Sequence, residues 1–129
     1  MKTDIITRAD IEKLVNAFYD KVKEDKTIGH FFAHVDWEKH LPIMYDFWEN
    51  TLFYTGTYSG NPMKLHQKLH HFKSLAEKDF DTWISLFLAT LAEMFEGDKT
   101  ELAKQRAISI ATVMKLKILY PQNFTVPEH

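Results

Sequence analysis

Apolar residues recur at helical spacing in four long stretches, and no stretch alternates convincingly enough to be a strand. Ile11, Leu14, Val15, Phe18 and Val22 form the first stripe, with Tyr19 on its edge. Thr7 followed by Asp10 reads as a capping box in which Asp replaces the usual Glu. Residues 21–26 are a charged, solvated run, after which Ile28, Phe31 and Phe32 make a short aromatic turn. The second stripe is Trp37, His40, Leu41, Met44, Phe47, Trp48 and Thr51, with Asp36 as its cap. Pro42 conflicts with that stripe, because proline lacks the N–H a helix interior needs. The helix therefore either begins near Leu41 or bends there. A loop over 55–61 leads to Pro62, which suits the first position of a short helix carrying Met63, Leu65, His66, Leu69 and His70. Ser74 with Glu77 reads as a second capping box. Phe80, Trp83, Ile84, Phe87, Leu88, Leu91, Met94 and Phe95 then give the strongest periodicity in the chain. Gly97 fits the C′ position that ends this helix. Asp98 with Glu101 opens the last one, whose buried face holds Leu102, Ala103, Ala107, Ile110, Ala111, Met114 and Ile118. The pattern predicts an all-α fold of four long and two short helices. It forms one domain over 1–129, with a core from about 7 to 120 and a loose tail at 121–129.

Composition narrows the function classes. A chain of 129 residues suits one domain with a sizeable core. A net charge of -2 supplies no basic field for nucleic acid. With no Cys, disulfides, thiolate chemistry and Cys-type zinc sites are excluded, in keeping with a reducing cytoplasm, the expected location. No apolar run is long enough to span a bilayer, and MKTDIITRAD resembles neither a signal peptide nor an anchor. Aromatic residues reach 14%, with 10 Phe, which suits either an aromatic-rich helical core or walls around something flat and apolar.

The chemistry left to this chain lies in its imidazoles. There is no G-x-S-x-G elbow, no phosphate-binding glycine pattern and no pair of carboxylates on an inward face. His30 and His34, with Glu38 four further on, and His66 with His70 have the i, i+4 spacing that could clamp a metal. A non-haem di-iron bundle would use such pairs. Against it, His30, His34 and Glu38 straddle a helix break at Asp36, and the later helices offer no inward acid. A haem site asks for less: one axial His, a flat apolar slot, and a few polar groups opposite the iron. Phe32, Phe47, Phe80, Phe87, Met44 and Met114 could line the slot, and Tyr19, His40 and Trp83 could supply the polar groups from three helices. Each of these residues singly also reads as ordinary core, so a cofactor-free helical interaction module stands as a third reading.

Taken together, these residues resemble a truncated haemoglobin, most closely group III of that family. The resemblance runs from about Ile11 to about Met114. It rests on Phe18-Tyr19 in the helix the family counts as its second, Phe32 after the next turn, and His40 followed by Phe47-Trp48. It continues with the Gly60-Asn61-Pro62 turn before His66, and with Trp83 in DTWISLF. The glycine pairs of groups I and II are not visible. The resemblance implies a two-over-two helical sandwich around haem b, with His66 as the iron ligand and Trp48 and Leu65 among the pocket residues. It implies that Tyr19 and Trp83 donate hydrogen bonds to bound O2, and that His40 gates access or touches the ligand. The expected function is binding of O2, NO, CO and cyanide at a pentacoordinate iron. Redox turnover, as an NO dioxygenase or with peroxidase-like chemistry, is the enzymatic option and would call for a reductase partner. Neither nucleic acid nor membrane is an expected partner.

Overall fold

The computed structural model describes residues 2–56, 58, 60, 63, 66 and 74–120. Among them lie four α-helices: α1 (Arg8–Glu24), α2 (Trp37–Phe53), α3 (Glu77–Met94) and α4 (Asp98–Leu119). A 3₁₀ turn, Gly29–Phe32, links α1 to α2. Met63 and His66 are helical as well. Helix α1 packs on α2 and α3, and α4 packs on α3 and α2, so two helices lie over two.

Helix α1 forms as its caps and stripe require. Thr7 Oγ1 accepts from Asp10 N at 3.3 Å, and Asp10 Oδ2 accepts from Thr7 N at 3.1 Å and Ile6 N at 2.9 Å. Ile11, Leu14, Val15, Phe18 and Val22 are all buried. Past its end, Asp25 Oδ1 accepts from Thr27 N at 2.8 Å and Ile28 N at 3.0 Å, which folds the chain back on itself. Gly29 then crosses so close to α1 that an added Cβ would lie 3.0 Å from the Val22 and Lys23 carbonyl oxygens.

Two expectations about helix ends are corrected and one choice is decided. Helix α2 begins at Trp37 after Asp36, as its stripe requires, and not near Leu41: Lys39 N and His40 N already donate to the Asp36 carbonyl at 3.1 and 2.9 Å, and the helix runs on through Pro42. An interior proline costs about 3 kcal/mol. Burial of Trp48 and Leu52 further along, with Met44 and Phe47 packed against the core, offsets it. Helix α3 is not capped by Ser74 and Glu77. Ala76 precedes its first residue, and Asp79 Oδ2 accepts from Ala76 N at 2.8 Å. Gly97 does not close α3 but precedes α4, at φ +139. A Cβ there would sit 2.5 Å from Asp4.

Asp4 is the true cap of α4, reaching across the sequence. Its carboxylate accepts from Lys99 N, Thr100 N and Thr100 Oγ1, each at 2.8 Å. Glu96 N donates to the Thr3 carbonyl at 3.0 Å beside it. The far end of α2 is tied to the same place, since Lys99 Nζ donates to the Leu52 carbonyl at 2.8 Å.

The core is an aromatic column. Trp48 stacks on Phe87 at 4.7 Å, and Phe87 stacks on Trp83 at 5.7 Å. Phe18 meets Phe87 and Trp83 edge-on. Offset and edge-to-face pairs of this kind are each worth about 0.5–1.5 kcal/mol beyond the area they bury. No helix among the described residues is long and apolar enough to cross a membrane.

Candidate functional site

Beside the column lies a cavity of about 390 Å³ lined by residues of all four helices together with Tyr58 and His66. Of the residues the sequence nominates, Tyr19, Phe32, His40, Met44, Phe47, Trp48, His66, Phe80, Trp83 and Met114 line it. Phe87 does not. It lies one layer behind, fully buried between Trp48 and Trp83, and supports the wall. Leu65 falls outside the described residues, as do His70 and His71.

Helical periodicity places the polar groups. Tyr19 follows Phe18 on α1 and is 6% exposed, held among Phe18, Phe32 and Trp37. His40 comes from the first turn of α2, and its Nε2 lies 3.2 Å from the Tyr19 hydroxyl. Burial pushes the Tyr19 phenol well above its ordinary value, so it keeps its proton. Burial also pushes the His40 imidazole below its ordinary value, and the charge of His66 adds to the effect. His40 is therefore neutral near pH 7, and the two histidines are close enough to sense one another. Trp83 enters from α3, stacked on Phe87, and its indole N–H has no hydrogen-bond partner among the described residues. Trp37 covers the Tyr19–His40 pair from outside, 5.2 Å and 5.5 Å from the two rings, with Lys23 Nζ 4.3 Å above its own ring. His66 lines the cavity and is also exposed, which puts it at the rim.

The metal-clamp spacing of His30, His34 and Glu38 does not become a shared face. His30 belongs to the 3₁₀ turn, where its ring lies on Phe31 at 4.1 Å, whereas Glu38 is on the first turn of α2. Among the described residues no three His, Asp or Glu side chains come together as a metal site. The sequence also leaves out one residue that matters. The pattern places no acid of the later helices inward, yet Asp79 is buried and lines the cavity. Its signal was its place four residues before Trp83, on one face of α3.

The walls and donors fit a haem. The volume is in the range of small-cofactor pockets, the lining is dominated by aromatic and aliphatic side chains, and imidazole is a common axial ligand of haem iron. The comparisons with known proteins agree. The model of the bacterial-like globin family matches residues 4–118. The chain belongs to the bacterial-like globins, as a group III truncated haemoglobin. It is 31% identical over 118 residues to the group 3 truncated haemoglobin ctb of Campylobacter jejuni, covering 87% of this chain and 91% of that one. It is 34% identical over 85 residues to the group 1 truncated haemoglobin GlbN of a Synechocystis species, covering 65% of this chain and 68% of that one. The crystal structure of the group III truncated haemoglobin from Campylobacter jejuni superposes with a TM-score of 0.81 at 30% identity, over 92% of this chain and 95% of that one. Globin membership implies haem-based binding of small gaseous ligands.

Proposed function

We propose that this globin holds haem b with His66 as axial ligand and binds O2, NO, CO and cyanide at a pentacoordinate iron, in the cytoplasm. Haem supplies an iron centre that takes small ligands and can exchange an electron. Phe32, Met44, Phe47, Trp48, Phe80 and Met114 exclude water around it, and Leu65 is assigned to the same pocket from sequence.

The observation that carries this reading is the Tyr19–His40 pair, with Trp83 on the same cavity. With its proton on Nε2, neutral His40 donates to Tyr19 and frees the phenol proton for an occupant. With Nε2 bare, Tyr19 donates to His40 and the pair closes on itself. Either way the contact engages His40 Nε2. The indole N–H of Trp83 adds a second donor. Two donors in a cavity walled mainly by apolar side chains favour an electron-rich atom, because hydrogen bonds to charge are the strong kind. Such a pocket holds O2 slowly reversibly, and it also suits turnover of NO or peroxide with a reductase. Slow release favours turnover over simple carriage.

The test is a haemin titration followed by absorption, in the wild type and His66→Ala. A sharp haem band in the wild type with an altered ferrous spectrum in the variant supports the assignment. Absence of uptake by the wild type would refute it. Iron without porphyrin would revive the di-iron reading, and a folded colourless protein the interaction module. No observation among the described residues favours either.

A further inference from the structure

We propose that Asp79 is a positioning residue that sets the redox poise of the haem site through its charge, holding the iron toward its oxidised state. This rests on the haem reading above. Among the described residues that line the cavity, Asp79 alone is an acid or a base other than histidine and tyrosine. It is 7% exposed, so its charge is shielded from salt and water. It shares the cavity face of α3 with Phe80 and Trp83.

Two features of the structure suit a carboxylate there. Its Oδ2 accepts the Ala76 N–H at 2.8 Å, and it sits in the first turn of α3, where the helix N-terminus favours an anion. No Lys or Arg pairs with it among the described residues. Among the described residues no cation cancels its field, and the side chain lines the cavity. Ferric haem carries one more positive charge than ferrous haem, so a fixed negative charge in the wall stabilises the ferric form. A site poised this way needs a reductant to work in the ferrous state, which suits turnover better than carriage. Capping α3 is the competing role, and it makes a different forecast. Asn at this position keeps an oxygen for the Ala76 N–H but loses the charge.

The experiment is a spectroelectrochemical titration of haem-loaded wild type, Asp79→Asn and Asp79→Glu at low and high salt. Asp79→Asn is expected to move the midpoint positive, shifting the ferric-to-ferrous balance at fixed potential by about tenfold. That is the order of magnitude of a unit charge acting through a medium of effective dielectric about 20. Asp79→Glu should titrate close to wild type, and high salt should change the difference little. A midpoint unmoved in Asp79→Asn, or moved equally in Asp79→Glu, overturns the inference while the haem reading stands. Wild type that takes up no haem overturns both. Thermal melts of the haem-free proteins separate these outcomes from misfolding, since Asp79→Asn retains the cap.

Discussion

Replacing Tyr19 by Phe removes one oxygen atom from an otherwise intact wall. The ring remains buried against Phe18, Phe32 and Trp37, so its packing survives. What is lost is the 3.2 Å contact with His40 Nε2 and any donation to a ligand. The first loss is a long hydrogen bond between neutral groups, worth about 0.5–1.5 kcal/mol net. His40 is half-buried and can turn to water, so the cost in stability should sit near 1 kcal/mol. For a chain of 129 residues that is a fall in Tm of about 4 °C, using roughly 2.1 cal/mol/K per residue. The second loss is larger, because donation to a ligand carrying negative charge is worth about 1.5–3 kcal/mol. Dissociation of O2 should therefore quicken by about 10- to 150-fold in Tyr19→Phe. Stopped-flow displacement of O2 by CO measures this directly. Trp83→Phe should show a smaller gain of the same sign. The double variant should gain less than the product of the two, because the donors serve one ligand. Unchanged dissociation in both single variants would refute the hydrogen-bond account and leave Tyr19 a packing residue.

Asp4→Ala removes the cap of α4 and should lower stability by about 1–2 kcal/mol in a thermal melt; a melt like wild type would dismiss the long-range cap. Burial alone would raise the Asp4 pKa. Hydrogen bonds from Lys99, Thr100 and Ile5 outweigh it and hold the carboxyl below its ordinary 3.8. A depressed acid stabilises above its unfolded pKa and loses that stabilisation as pH falls through the folded one. The advantage of wild type over Asp4→Asn should thus be full at pH 5 and fade below about 3.8 in acid unfolding. Phe87→Ala empties the centre of the aromatic column and should cost about 3–5 kcal/mol by denaturant titration. Gly29→Ala should cost about 1–3 kcal/mol, because the backbone carbonyls facing its Cβ cannot move aside without disturbing α1; a neutral melt would show that the crossing can open.

What the sequence determined by itself was the set of faces. Helical spacing put Phe18 with Val22, His40 with Met44 and Phe47, and Phe80 with Trp83 and Phe87, since a period of 3.6 fixes which residues share a side. It thereby placed Tyr19, His40 and Trp83 on the inward faces of three helices. The Thr7–Asp10 cap was equally legible, because its donors and acceptors lie within one turn. Tertiary structure decided whatever depends on distant partners. Asp4 caps a helix 95 residues away, which freed Gly97 from closing α3. Pro42 stays inside α2 because the burial that follows outweighs a local preference. Phe87 shares its face with Trp83 yet lies behind the cavity, since depth below a face is set by the opposing helices. Asp79 reads as a polar residue at a helix start, and only the packing of α3 against its neighbours turns it into a buried acid lining the cavity.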